Sequence, residues 1–166
     1  MFRYRLAKID DVDSIIKVMQ NTTYSQYIYP GKSFSQLKNI ILDSMKTRKY
    51  LVCVKSGKVI GYFIIDSLNN HLPDIPKKIK LNKKYAYHAG VGIHSDFRGK
   101  GLATDLTKYA FKIAKISNYA GMYADVGSNN DASIKLQEKC GFSELVRYAS
   151  KWRPDGVKNV VFEIKF

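Results

Sequence analysis

The 166-residue sequence has little cysteine, few acidic residues and no long apolar run. Its two cysteines, Cys53 and Cys140, lie far apart and show no CxxC or Cys/His spacing, which excludes a disulfide framework and a zinc site of the usual spacing. The longest apolar stretch, at about residues 59–65, is far shorter than the ~20 residues of a membrane-spanning helix. Because the first residues include acidic side chains where a signal peptide has an apolar core, we expect a cytoplasmic protein with no membrane partner.

Basic residues outnumber acidic ones by 28 to 14, which gives a formal net charge of +14. The excess is mostly lysine and is spread along the chain, whereas proteins that read nucleic acid favour arginine and cluster their charge. The segment 77–84 is the one stretch that resembles a basic patch. We therefore interpret the charge as a solvated, lysine-rich surface that favours anionic ligands, and nucleic acid is disfavoured as a partner.

The pattern of the chain predicts a single α/β domain, 1–166, because it holds no internal repeat and no long Pro/Gly linker. Periodic apolar positions and capping residues predict helices that begin near residues 11, 33, 102 and 130. The segments 21–32 and 68–84 are expected to be loops. Alternation and β-branched or aromatic runs predict strands at residues 2–8, 50–55, 59–66, 85–93, 122–126, 144–150 and 160–166. This order of elements predicts a mixed sheet.

A glycine-rich run, Arg-Gly-Lys-Gly-Leu-Ala at residues 98–103, lies where a predicted strand ends and a helix begins. Glycines there let backbone N–H groups turn toward a ligand, the helix N-terminus adds partial positive charge, and Arg98 and Lys100 add full charges. Such a loop suits a diphosphate. It is not a Walker A loop, since no Ser or Thr follows Lys100, and Thr104 replaces the third glycine of GxGxxG. On its own, the run fits a glycine-rich connector with exposed charges equally well.

Two blocks of sequence resemble the hallmarks of the GNAT superfamily of acyl-CoA N-acyltransferases. Arg98-x-x-Gly101-x-Ala103 resembles the Q/R-x-x-G-x-G/A motif, and residues 130–142, NDASIKLQEKCGF, resemble N-x-x-[AS]-I-x-L-Y-E-K-x-G-F. The blocks follow the superfamily's usual order and spacing, so the resemblance covers essentially the whole chain. Within the superfamily, the second block and the aromatic, basic C-terminal hairpin are most similar to the phosphinothricin and amino-acid-analogue acetyltransferases, although the segment 22–32 does not resemble theirs.

The resemblance implies a twisted, mostly antiparallel mixed sheet flanked by helices, with two central parallel strands splayed apart. It also implies acetyl-CoA as the co-substrate, with pantetheine along residues 91–93 and the pyrophosphate on backbone N–H groups of residues 99–104. Gly90 and Gly92 would allow that close approach. No metal is expected, because the three histidines show no ligand spacing. The cofactor-binding residues that follow from the resemblance are Val91, Gly92, Ile93, Arg98, Gly99, Lys100, Gly101, Leu102, Ala103, Thr104 and Asn130.

Three residues are candidates for the base that deprotonates the acceptor amine. His88 has a side chain suited to neutral pH and, by the resemblance, lies where phosphinothricin-type enzymes carry a catalytic glutamate. Tyr87 is the rival on the same strand, and a purely structural role for His88 is the other alternative. Asp125 lies where ribosomal-protein N-terminal acetyltransferases have a catalytic glutamate. Gln137 stands where many GNAT enzymes have a tyrosine acid, so we expect no proton donor at that position.

The resulting hypothesis is an acetyl-CoA-dependent N-acetyltransferase that acts on a primary amine. Protein N-terminal or lysine acetylation, and a module that senses acyl-CoA or binds nucleic acid, are the alternatives, and a homodimer is left open. On the expected acceptor side, Asp66 and Asp74 face a larger basic set, which favours a small, amino-acid-like acceptor with a carboxylate. That basic set is Lys77, Lys78, Lys80, Arg147, Lys151 and Arg153. The aromatic residues proposed for the pocket wall are Tyr24, Tyr27, Tyr29 and Trp152.

Overall fold

The computed structural model describes residues 1–22, 29–69 and 71–166. The strands in these ranges are β1 (Phe2–Leu6), β2 (Lys49–Lys55), β3 (Lys58–Ser67), β4 (Tyr85–Ile93), β5 (Gly121–Gly127), β6 (Ser143–Ala149) and β7 (Lys158–Lys165). The α-helices are α1 (Val12–Gln20), α2 (Phe34–Ser44), α3 (Leu102–Ile116) and α4 (Asp131–Lys139). The strand order is β1-β2-β3-β4-β5-β7-β6. Within the described ranges, no helix combines the length and the apolar character needed to cross a membrane.

The chain divides into two compact units that interleave in sequence. The first unit comprises Met1–Asp66 and Ala89–Ala110, and the second comprises Ser67–His88 and Phe111–Phe166. Because the boundaries fall inside β4 and α3, each of these elements contributes residues to both units. The single domain expected from the sequence stays a prediction.

The first unit contains the antiparallel strands β1, β2 and β3. Its helix α1 is amphipathic, and its apolar positions, among them Ile15 and Ile16, are fully buried. The predicted capping box of α2 is confirmed, since the Ser33 hydroxyl accepts from Gln36 N at 3.2 Å and the Gln36 side chain accepts from Ser33 N at 2.9 Å. A tight turn at Ser56-Gly57 joins β2 to β3, with positive φ at both residues. A Ser-Gly pair between two β-branched and aromatic runs is typical of such a hairpin.

The second unit contains the parallel ladder between β4 and β5. Among the described residues this ladder pairs Tyr85, Ala86 and Tyr87 with Gly121, Met122 and Tyr123. β5 then pairs antiparallel with β7, and β7 with β6. The mixed, mostly antiparallel α/β architecture expected from the sequence is therefore confirmed, whereas the splaying of the two parallel strands stays a prediction.

Several element ends differ from the sequence-based boundaries by a few residues. β1 ends at Leu6, because a 3₁₀ turn over Ile9–Asp11 precedes α1. The apolar period through Met45 predicts that α2 continues to near residue 48, but the helix ends at Ser44. The Ser44 hydroxyl bonds to Ile41 O at 2.9 Å and to the Tyr50 hydroxyl at 2.7 Å. These side-chain contacts satisfy polar groups at the end of the helix, which periodicity alone does not reveal.

Candidate active site

The glycine-rich loop before α3 lies in the first unit. Gly99 and Gly101 adopt φ values of +75° and +77°, in the left-handed region that favours glycine, and a Cβ at either residue would meet open space. α3 begins at Leu102, so its first N–H groups have no partner within the helix. These donors, together with the partial positive charge of the helix N-terminus, suit an anionic group such as a pyrophosphate.

The Arg98 side chain serves the loop's own structure. Its Nε donates to Ile93 O at 3.0 Å and its Nη2 donates to Asn21 O at 2.8 Å. The guanidinium thus ties the loop to β4 and to the residue after α1. A direct contact of Arg98 with a cofactor stays a prediction. Lys100 is exposed and its Nζ lies 5.2 Å from the Phe97 ring centroid. We infer that Lys100 and the backbone N–H groups are the cationic and dipolar groups available to a ligand here.

Gly92 of β4 has a packing reason that the sequence did not suggest. A Cβ at Gly92 would lie 2.5 Å from Tyr62 Cε1 and 2.9 Å from Tyr62 Cζ, and the Tyr62 ring is fully buried. The Tyr62 ring of β3 therefore suffices to explain the absence of a side chain at Gly92, and the close approach of a cofactor to this glycine stays a prediction. Backbone contacts of Val91, Gly92 and Ile93 with a cofactor stay a prediction.

Tyr87 and Asp125 meet on one face of the second unit's sheet. The Tyr87 hydroxyl donates to Asp125 Oδ1, and Arg153 Nη2 donates to Asp125 Oδ2 at 2.7 Å. Tyr87 lies beside Tyr123 in the parallel register, and Asp125 follows Tyr123 by two residues, so all three side chains share this face. Burial raises the pKa of Asp125, and the Arg153 charge acts against that rise.

The same face carries a continuous polar network. Arg153 Nε and Nη2 donate to Asn159 Oδ1 at 2.9 and 2.7 Å, and Asn159 Nδ2 donates to the Tyr148 hydroxyl at 3.2 Å. The Tyr148 hydroxyl donates to Asp74 Oδ1 at 3.2 Å, which fixes the segment between β3 and β4 to β6. His71 of that segment stacks on Tyr87 with ring centroids 3.8 Å apart. The predicted loop 68–84 is therefore anchored over the Tyr87–Asp125 pair at two points.

His88, next to Tyr87 in sequence, points to the other face of β4, since successive strand residues alternate. There its Nδ1 lies 3.4 Å from Gln137 Nε2 on α4, and Gln137 is 1% exposed. Burial lowers the pKa of His88 to about 4, well below the neutral range expected from its side chain. His88 is therefore uncharged at neutral pH and is a weak base.

Asn130 caps α4, because its Oδ1 accepts from Ser133 N at 3.1 Å. Gly141 follows the same helix with φ +91°, the left-handed glycine that is typical of a helix C-terminus. A contact between Asn130 and a cofactor stays a prediction. Within residues 1–22, 29–69 and 71–166, no group of three or more His, Cys, Asp or Glu side chains could hold a metal ion.

The charge balance expected for an acceptor pocket changes in the structure. Arg147 pairs with Glu144 at 2.9 Å, Arg153 pairs with Asp125 at 2.7 Å, and Asp66 pairs with Arg48 at 2.6 Å. Two arginines from the predicted basic excess are thus compensated, which weakens the argument for an acceptor carboxylate. Of the proposed pocket aromatics, Trp152 is 67% exposed. Tyr24 and Tyr27 lie outside the described residues.

Sequence patterns do not predict the Arg153–Asn159–Tyr148 network. No motif spans these positions, which come from β6, β7 and the connection between them. The register explains their meeting, since Tyr148 pairs with Asn159 across the two strands. The one usable signal was the Pro154-Asp155-Gly156 turn, which predicts that the flanking residues form a hairpin.

A model described as "Acetyltransferase (GNAT) family" matches residues 16–142. The chain belongs to the GNAT acetyltransferase family. The resemblance carried by residues 98–103 and 130–142 is confirmed, and so is the assignment as an N-acetyltransferase. GNAT acetyltransferases use acetyl-CoA, and the open, left-handed glycines before α3 fit a family that binds a diphosphate-containing co-substrate.

The chain is similar to acetyltransferases named for different activities. An N-alpha-acetyltransferase of Sulfurisphaera tokodaii is 25% identical over 149 residues, which is 87% of this chain and 81% of the relative. The proposed Salmonella typhimurium acetyltransferase yncA, solved with acetyl-CoA, has a TM-score of 0.73 at 18% identity, covering 99% of this chain and 94% of that one. A proposed phosphinothricin N-acetyltransferase has a TM-score of 0.76 at 19% identity, covering 99% and 98%. These structural likenesses show the fold alone, and the phosphinothricin-like subgroup stays a prediction.

Proposed function

We propose that this GNAT protein transfers the acetyl group of acetyl-CoA to the α-amine of an amino acid or of a peptide. The observation that carries the proposal is the Asp125 carboxylate, held by Tyr87 and Arg153 on one face of the sheet, with a side chain 18% exposed. A carboxylate in this setting can accept a proton from an amine. The similarity to an archaeal N-alpha-acetyltransferase supports an α-amine acceptor, and the free amino acid is the small acceptor expected from the sequence.

On the co-substrate side, we assign the pyrophosphate to the backbone N–H groups of residues 99–104 and to the Lys100 ammonium. Arg98 would act indirectly, because its guanidinium holds the loop through Ile93 O and Asn21 O. Val91, Gly92, Ile93 and Asn130 are further proposed contacts. When bound, acetyl-CoA supplies an activated acyl group that a neutral amine can attack.

We assign the base to Asp125 in preference to His88. His88 is buried against Gln137, and burial lowers its pKa to about 4, so it lacks the titration in the neutral range that made it a candidate. Burial raises the pKa of Asp125 above that of an ordinary carboxyl, which brings its proton affinity closer to what amine deprotonation needs. Asp125 would take the amine proton directly or through the Tyr87 hydroxyl, which would pass its own proton to Oδ1.

Four variants test the base. Asp125→Asn should lower kcat by roughly 10²- to 10⁴-fold, the usual contribution of a positioned base. Tyr87→Phe should lower it less, because the carboxylate remains, and His88→Ala should be milder still. Asp155→Asn is the matched control, since Asp155 is an exposed acid in the turn before β7. Thiol release from acetyl-CoA measures all four, and a large loss in His88→Ala with none in Asp125→Asn would contradict the assignment.

The acceptor is tested with three compounds in the same thiol-release assay. A free amino acid and a short peptide with that residue at its N-terminus share the α-amine, and an Nα-blocked peptide with one lysine offers only an ε-amine. Turnover with either of the first two, and not with the third, supports the proposal and identifies the source of the α-amine. Turnover with the blocked peptide alone would overturn the α-amine assignment. Binding of acetyl-CoA with no turnover of any amine would indicate an acyl-CoA sensor.

A further inference from the structure

We infer that Arg153 is a positioning residue that fixes the orientation and the charge of Asp125. The inference rests on the proposed function, in which Asp125 takes the acceptor's proton. Arg153 lies in the connection between β6 and β7, which the sequence did not connect with the base. What Arg153 contributes is a fixed, charged donor on one side of the carboxylate.

The two carboxylate oxygens of Asp125 have different partners. Oδ1 accepts from the Tyr87 hydroxyl, and Oδ2 accepts from Arg153 Nη2 at 2.7 Å. Such a charge-assisted bond is stronger and more directional than a neutral one. With Oδ2 engaged, the carboxylate plane cannot rotate freely, and Oδ1 is left on the Tyr87 side.

Arg153 is itself held in place by Asn159. Asn159 is 3% exposed, and its Oδ1 accepts from both Nε and Nη2 of Arg153. Its amide orientation is set in turn, because Nδ2 must then face the Tyr148 hydroxyl, to which it donates at 3.2 Å. Asp74 accepts from that hydroxyl and, at 2.5 Å, from the Ser150 hydroxyl. Each member of this chain fixes the next, which argues for a preorganised guanidinium.

The charged and titratable groups that face Asp125 come from several elements. Tyr87 faces it from β4, Tyr148 from β6, His71 from the segment between β3 and β4, and Arg153 from the β6–β7 connection. Burial raises the pKa of Asp125, and among the groups that lower it Arg153 acts most strongly. Removal of the guanidinium charge should therefore raise the pKa of Asp125 further and leave less carboxylate at neutral pH.

The test is the pH dependence of kcat/KM in Arg153→Met, Arg153→Lys and a matched control, Arg147→Met. Arg147 is an arginine of the same hairpin that pairs with Glu144 and lies outside the network. Arg153→Met should move the acidic limb of the profile upward by about one pH unit or more, because a neighbouring opposite charge shifts a pKa by that amount. Arg153→Lys should move the acidic limb upward by a smaller amount than Arg153→Met, since lysine keeps the charge but lacks the planar fork. Arg147→Met should leave the limb in place.

A uniform loss of rate in Arg153→Met, with no movement of the limb, would overturn the inference and assign Arg153 a structural role. If Arg153→Met fails to fold, Arg153→Gln replaces it, and the Asp125 carboxyl resonance is titrated by ¹³C NMR without substrate; an unshifted titration relative to wild type overturns the inference. Asp125→Asn separates the two proposals. Persistence of the limb in Asp125→Asn refutes the base itself, whereas its disappearance there, with no shift in the Arg153 variants, refutes this inference alone.

Discussion

Adjacent residues of β4 meet different chemical surroundings at the residue scale. Tyr87 contacts a carboxylate and a stacked His71 ring, whereas His88 contacts the carboxamide of Gln137 on α4. Because the two faces of a strand alternate, one step along the chain exchanges a polar, charged network for a buried, neutral setting. We favour the Tyr87–Asp125 pair over His88 as the proton acceptor because of these different surroundings, more than because of the intrinsic chemistry of the side chains.

Burial of His88 makes folding stability depend on pH. Its pKa falls from 6.5 to about 4 on folding, so the unfolded chain binds the proton more readily. Above about pH 6.5, neutral His88 makes its full contribution to the free energy of unfolding. This free energy should drop as pH falls toward 4, by on the order of 3 kcal/mol. His88→Gln should lose this part of the slope, and His94→Gln should keep it. Urea unfolding at several pH values measures both, and equal slopes in wild type and His88→Gln would contradict the prediction.

At the scale of elements, the loop between β4 and α3 combines two glycines in the left-handed region with hydrogen bonds that hold its backbone in place. Arg98 binds main-chain carbonyls on either side, and the left-handed glycines redirect the chain into the helix. Positive φ costs a residue with a Cβ roughly 1–2 kcal/mol, so glycine at these positions keeps the N–H groups aimed without strain.

Gly101→Ala should separate stability from co-substrate binding. The new Cβ meets open space, but φ of +77° strains any L-residue, so the variant should lose roughly 1–2 kcal/mol of stability and aim its N–H groups less well. Gly57→Ala is the matched control, with φ of +79° and equally open space in the β2–β3 turn. Both variants should unfold more easily in denaturant. Gly101→Ala alone should show a weakened melting-temperature shift with acetyl-CoA, and an equal shift in both variants would count against the loop as the pyrophosphate site.

At the scale of the whole molecule, the net charge of +14 acts on every anionic ligand. The proposed pyrophosphate donors lie in the loop before α3, whereas lysines are spread through the sequence. A dispersed positive field raises the rate of encounter with an anion but gives little selectivity. Under the proposed function, the selectivity for acetyl-CoA would come from the oriented N–H groups and the shape of the loop.

Acetyl-CoA should stabilise the folded protein. At about 100 times its dissociation constant, a ligand that binds only the native state adds about 2.7 kcal/mol, or on the order of 5–10 °C in Tm. Added salt should weaken this affinity by screening the charges, whereas a nucleic-acid duplex at the same ionic strength should give no comparable shift. Differential scanning fluorimetry measures all three conditions. A duplex-induced shift larger than that of acetyl-CoA would point to the nucleic-acid alternative.

The sequence by itself determined the family, the element order and the loop before α3. Each of these depends on residues close together in the chain: the apolar period of α1, the capping box of α2, the Ser56-Gly57 turn and the two GNAT blocks. Such local patterns can be interpreted without knowing which segments pack together, because they depend on backbone preference and on the burial of one face of the element. The three base candidates also came from the sequence, but their order did not.

The tertiary structure decided which of those residues meet. Asp74, Asp125 and Arg153 belong to one hydrogen-bond network because of strand register and loop placement. Neither of these can be recognised from the residue type at a single position. Likewise, the structure shows that the Tyr62 ring fills the space that a Cβ at Gly92 would need. It also shows that the Arg98 side chain donates to main-chain carbonyls. The pKa of a side chain depends on burial and on charges from distant parts of the chain, so the weak basicity of His88 and the raised pKa of Asp125 emerge once the chain has folded.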